Sequence, residues 1–166
     1  WSSAGSMSEP RAWQTATLLG DGRVLVAAGM DPTTGGEQLF DSAEVYDPST
    51  GQWSSTGSME KPGSRGSAAL LGDGTVLVVG RLLAEVYDPS TGTWSPAGKP
   101  LRERDQGYPA TVLEDGRVLI TGGEYLAPGA YRTGGIYPVK NVDIYDPSTG
   151  TWSAATPMEK ARRLHP

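Results

Sequence analysis

This chain of 166 residues has no cysteine and a single histidine. Without thiols it forms no disulfide and no thiolate metal site, and the absence leaves its compartment open. One histidine leaves little from which to assemble a nucleophile, its base and an orienting group. Lysine is scarce and the arginines are scattered. The net charge is −5 and the pI about 4.8, a balance that argues against a nucleic-acid footprint. No apolar run approaches the length of a bilayer span, so no membrane insertion is expected. No signal peptide is visible, as would also be true of a mature secreted chain. Helical periodicity is missing as well: the best candidate, residues 158–164, is short.

What the chain does have is repetition. Tyr-Asp-Pro-Ser-Thr-Gly-x-Trp occurs three times, from Tyr46 to Trp53, Tyr87 to Trp94 and Tyr145 to Trp152. A second phrase, Leu-x-Asp-Gly-x-Val-Leu, precedes each copy, at Leu19 to Leu25, Leu71 to Leu77 and Leu113 to Leu119. Trp1, Trp53, Trp94 and Trp152 are spaced by 52, 41 and 58 residues. A unit of this size fits a propeller blade or a long solenoid repeat.

Within the unit the signals are all β. Residues 15–19 read as a first strand. Asp21-Gly22 suits a tight turn because glycine accepts positive φ, and Gly74 and Gly116 repeat it. Residues 23–28 are β-branched and apolar, as a second strand should be. Residues 43–46 alternate apolar and polar, a third strand. Residues 47–51 are a dense turn signal, and 52–54 form a short fourth strand. Four antiparallel strands make one blade.

This succession, with Gly122-Gly123 after the second strand and Glu-Val-Tyr-Asp-Pro in the third, resembles the Kelch repeat. The resemblance covers nearly the whole chain and implies an all-β fold, a Kelch-type β-propeller. Blade one is expected at 13–54, blade two at 65–95, blade three at 107–153, and the start of a further blade at 162–166. Trp1 falls in register with the fourth strand of a preceding blade. Closed propellers have about four to eight blades, so a partial propeller belonging to a longer one is expected. A homo-oligomeric ring or other self-assembly through open blade edges is the alternative. Blade two departs from the pattern, with Val79-Gly80-Arg81 and a very short loop.

Antiparallel alternation sorts the connections onto two faces. One holds the uniform turns. The other holds the variable loops and the links between blades, where binding is expected. Residues 29–41 and 123–141 are the long loops. The second carries Tyr125, Tyr131, Arg132 and Tyr137, residue types favoured at interfaces. Trp13 and Tyr108 lie in the links before inner strands. Arg11, Arg65, Arg102, Arg104, Arg162 and Arg163 also lie in these links. They are expected to pair, solvated, with Glu9, Glu60, Glu103 and Glu159 rather than to form an anion-binding ring. Tyr46, Trp53, Tyr87, Trp94, Tyr145 and Trp152 recur at fixed registers and are expected to fill the wedges between blades.

The chain is also similar to the propellers of galactose oxidase and glyoxal oxidase at residues 106–111 and 163–166. Those enzymes use a Tyr-His pair, a further His and a Cys-linked Tyr around copper. Here His165 meets the His position, Leu164 replaces the Tyr, and Gln14, Gly66 and Tyr108 stand at the His position of the other units. Copper(II) needs several N and O ligands, so the chain alone is expected to carry no metal, no cofactor and no catalysis. The expectation is a binding or scaffolding module for a protein or carbohydrate partner. The alternative is a segment of a galactose-oxidase-like copper enzyme whose catalytic residues lie elsewhere. The Gly, Ser, Thr-rich composition suits an exported bacterial protein, extracellular or secreted.

Overall fold

A computed structural model of the chain describes residues 4–35, 38–81, 83–126 and 136–163. Blade one is the sheet β1 (Thr15–Leu18), β2 (Val24–Ala27), β3 (Ala43–Asp47) and β4 (Gln52–Ser55), paired in that order. Blade two is β5 (Ser67–Leu70), β6 (Val76–Val79), β7 (Ala84–Asp88) and β8 (Thr93–Pro96). Blade three begins with β9 (Ala110–Val112) and β10 (Val118–Thr121). A separate hairpin follows, β11 (Glu124–Leu126) with β12 (Ile136–Pro138), and then β13 (Val142–Asp146) and β14 (Thr151–Ala155) complete the blade. The hairpin is new relative to the sequence reading, which treated residues 123–141 as an irregular loop.

Each first turn has one geometry. The Leu19 N–H donates to the Arg23 carbonyl at 2.8 Å, and the Gly22 N–H donates to the Leu19 carbonyl at 3.0 Å. The same pairs recur at Leu71 and Thr75 and at Leu113 and Arg117. Gly22, Gly74 and Gly116 have φ of 88°, 88° and 85°, a region that side chains resist. In the second turn the Asp47 carboxylate accepts the Ser49 N–H at 2.8 Å and the Ser49 hydroxyl at 2.6 Å. Asp88 with Ser90 and Asp146 with Ser148 repeat it. These local bonds make Asp-Pro-Ser a turn irrespective of the rest of the fold.

The blades stack face to face, with β1, β5 and β9 as neighbouring inner strands. Leu19, Leu25, Ala27 and Val45 of blade one pack on Val76, Val78 and Tyr87 of blade two, with Trp94 against them. Leu71, Leu77 and Val79 of blade two pack on Val118, Ile120 and Tyr145 of blade three, with Trp152 against them. Tyr and Trp sit opposite each other in the strand register, ring centroids 5.0 to 5.1 Å apart. Each indole N–H crosses to the segment that follows the preceding outer strand: Trp94 to the Gly57 carbonyl and Trp152 to that of Ala97, both at 2.7 Å. Trp53 reaches the Ala4 carbonyl at 3.0 Å. The paired aromatics therefore fill the wedge and also fix the height of one blade on the next. Among the described residues no blade packs on Tyr46 and Trp53, which stay half-buried.

The architecture is a partial β-propeller. Its turn face carries Asp21, Asp47, Asp73, Asp88, Glu114, Asp115 and Asp146 against only Arg23 and Arg117. That excess of five carboxylates equals the net charge of the chain. Of the segment expected to open a further blade at 162–166, residues 164–166 lie outside the described residues, as does Trp1.

Candidate functional site

The links that enter the inner strands converge on the loop face around a cleft of about 310 Å3. Trp13 and Gln14 of blade one line it, with Arg65 and Gly66 of blade two and Gln106, Gly107, Tyr108 and Pro109 of blade three. Trp13, Arg65 and Gly107 hold the same register relative to β1, β5 and β9. All three have left-handed φ, at 60°, 59° and 72°. That conformation is routine for the glycine and an outlier for bulky side chains. The strain is held by the backbone: the Arg65 N–H donates to the Trp13 carbonyl at 2.9 Å. The Arg65 guanidinium lies over the Trp13 ring, 5.1 Å from its centroid, a cation–π contact. Its Nε is buried with no hydrogen-bond partner. Trp13 nevertheless leaves 55% of its surface exposed. Gly66 is fixed by close approach, since a Cβ there would stand 2.6 Å from the Val79 carbonyl oxygen.

The candidate binding residues divide into three groups. Trp13 and Tyr108 both line the cleft, but Tyr108 is only 5% exposed and belongs to the wedge between blades two and three. Its hydroxyl donates to the Val79 carbonyl at 3.1 Å. Burial pushes the phenol well above its ordinary pKa, so it stays a neutral donor. Tyr125 and Tyr137 face each other across the β11–β12 hairpin and are not among the residues lining the cleft. Tyr137 is 59% exposed. Tyr131 and Arg132 lie outside the described residues.

The arginines correct the expectation of solvated pairs. Arg11 pairs with Glu9 at 2.8 Å but also with Glu44 at 3.3 Å, and its side chain is fully buried. It donates as well to the carbonyls of Ala28 and Ser42, at 3.1 and 3.0 Å. Arg104 does not meet Glu103. It forms a buried pair with Asp143 at 2.7 Å and donates to the carbonyls of Gly122 and Asn141. Arg163 pairs with Glu124 at 2.9 Å rather than with Glu159. Glu60 pairs with Lys61 and Glu103 with Arg81. The physical reason is a buried acid in each third strand, at Glu44, Glu85 and Asp143, lying beneath the entering link. Each stands two positions before the wedge tyrosine, so it shares the face of a buried ring, and that spacing was the available signal. Gln14, Gln106 and Arg65 line the cleft through their place in the links before the inner strands, and that place is the signal the sequence offers.

Residues 14–60 match the Kelch motif. Over 162 residues, or 90% of its length, the chain is 27% identical to β-scruin of Limulus polyphemus and covers 17% of that protein. Over 59 residues it is 42% identical to an F-box/kelch-repeat protein of Arabidopsis thaliana, 36% of this chain and 12% of that one. The chain thus spans less than a fifth of the curated relatives it matches. The solved structure of YjhT superposes with a TM-score of 0.72 at 19% identity, covering 93% of this chain and 54% of that one. A fungal alcohol oxidase of the AA5 family, in complex with copper, gives 0.61 at 19% identity, covering 86% and 30%. The matched motif covers blade one, and the same phrases recur in blades two and three, so the chain resembles a run of Kelch repeats folded as part of a β-propeller.

The likeness to a copper protein invites a test of the cleft as a metal centre. Its described lining offers two amides, a guanidinium and one buried phenol that keeps its proton. No imidazole, thiolate or carboxylate is among the lining residues. That donor set does not fit copper(II). His165 lies outside the described residues.

Proposed function

We propose that this chain is a non-catalytic binding module whose loop face meets a partner at the Trp13 cleft. The observation that carries the reading is the strained pair: two bulky side chains, Trp13 and Arg65, held left-handed at one cleft, with much of the indole left in solvent. Strain of this kind persists where a site needs a side chain in that place. The remaining exposed apolar residues of the connections, Leu39, Leu101 and Tyr137, stand on the same face, whereas the turns of the other face expose Asp, Ser, Thr and Gly. Kelch repeats typically bind proteins, so a protein is the first partner class, and the exposed indole also suits the apolar face of a sugar.

Photo-crosslinking tests this reading. A benzophenone side chain at position 13 or 137 should capture the partner from a native extract, and one at position 49 or 90 should not. Capture from the turn face alone would sink the proposal. A glycan array probed with the parent chain and Trp13→Gly separates a sugar partner from a protein.

A further inference from the structure

Blade two has kept the buried acid and lost the cation. Arg11 and Arg104 bring a guanidinium to three acceptors in their blades: the third-strand acid, the carbonyl just past the second strand, and the carbonyl two residues before the acid. In blade two these acceptors are Glu85, Gly80 O and Leu83 O. The backbone frame is the same, because Gly80 N–H donates to Leu83 O as Ala28 does to Ser42 and Gly122 to Asn141. The residue aligned with Arg11 is Gly63. Its N–H donates to Phe40 O and its carbonyl accepts from Gly29, the pattern that Arg162 repeats with Val139 and Gly123.

The acid itself records the gap. Glu44 divides its oxygens: Oε2 takes the Ser8 N–H at 2.8 Å, and Oε1 takes Arg11. Glu85 keeps the first half of this arrangement, with Oε2 on the Glu60 N–H at 2.9 Å. Its Oε1 meets only long backbone contacts, at 3.2 and 3.4 Å. No cation among the described residues pairs with Glu85, and no described donor reaches Gly80 O. Beside it, a Cβ on Gly63 would meet nothing within 4 Å.

We infer that Glu85 Oε1, Gly80 O and Leu83 O form a vacant guanidinium receptor that takes an arginine side chain presented by a protein partner. The two sister blades show that this set of acceptors binds that group, and Gly63 leaves open the route their arginines occupy. Arginine suits the set better than lysine because its planar fork serves the acid and both carbonyls together. The receptor lies apart from the Trp13 cleft and stands whether or not that cleft binds.

The test titrates the isotope-labelled chain with N-acetyl-arginine amide, with the lysine and citrulline analogues as controls. Saturable amide shifts are expected at Gly80, Leu83 and Glu85, about tenfold weaker with lysine and absent with citrulline. Gly63→Arg, which fills the receptor from within, should abolish them, and Gly63→Ala should keep them. Should Gly63→Arg fail to fold, Glu85→Gln decides, with at least an order of magnitude loss expected. Absence of saturable shifts at these three residues overturns the inference. So does equal binding by the parent, Gly63→Arg and Glu85→Gln.

Discussion

Blades one and two were built from one template and solve the same problem differently. Both bury an acid in the third strand. Blade one covers Glu44 with a long connection and neutralises it with Arg11, whose guanidinium also lies over Phe40, 4.9 Å from the ring centroid. Blade two has a short connection, no arginine paired with its acid among the described residues, and only backbone N–H groups on Glu85. Blade two thus holds its acid on N–H groups of the entering link alone, whereas blade one adds a cation to the same kind of link contact. The arginine belongs to the longer connection, which needs tying down.

The sharpest way to break this comparison is to remove the cation where it is present. Arg11→Met should destabilise the chain by about 3–5 kcal/mol, because it leaves the buried Glu44 charge without its cation. Adding Glu44→Gln should recover much of that loss. Urea unfolding of the single and double variants checks both statements.

Next in size is a contrast between equivalent tyrosines. Tyr87 is buried against blade one, whereas no blade among the described residues packs on Tyr46. Tyr87→Ala should lose about 3–5 kcal/mol, and Tyr46→Ala clearly less, by the same denaturation measurement. Equal losses would mean that the wedge contributes no more than the Tyr–Trp pair within each blade.

Two glycine exchanges work in opposite directions. Gly22→Ala places a Cβ at φ 88° and should cost about 1–2 kcal/mol. Trp13→Gly relieves a left-handed side chain and should raise the melting midpoint while abolishing capture at the cleft. A Trp13→Gly variant that melts lower would show that its contact with Arg65 outweighs the strain.

The smallest effect concerns what the blades share. Hydrogen bonds, first from the serine side chain and then from its backbone, hold the carboxyls of Asp47, Asp88 and Asp146 below the ordinary range. A depressed folded value means stability that is present above the unfolded pKa and lost as pH falls through the folded one. The melting midpoint should therefore drop as the pH is taken below the ordinary carboxylate range of about 4. The triple exchange to Asn should flatten that drop, equally for each blade.

The repeat phrases made the blades legible because each encodes local bonds: a glycine at positive φ, an aspartate over its own serine, a Tyr opposite a Trp. The strands between them alternate clearly enough to place within a residue or two. The site was less legible because it is built across blades. Trp13 and Arg65 lie 52 positions apart, and no pattern within one unit shows that they stack. Tyr108 is built across blades in the same way: it lines the cleft while its hydroxyl donates to the Val79 carbonyl of the neighbouring blade. The β11–β12 hairpin was hidden by glycine and proline, which read as loop even where flanking residues pair.

The carboxylates of the turn face have a consequence for how this molecule meets anything else. They give the chain an electric dipole along the propeller axis, negative at the turns and close to neutral at the loops. Near an anionic body, within a Debye length of about 8 Å at physiological salt, that dipole turns the turn face away. The molecule arrives with its loops foremost, already oriented before the first contact forms.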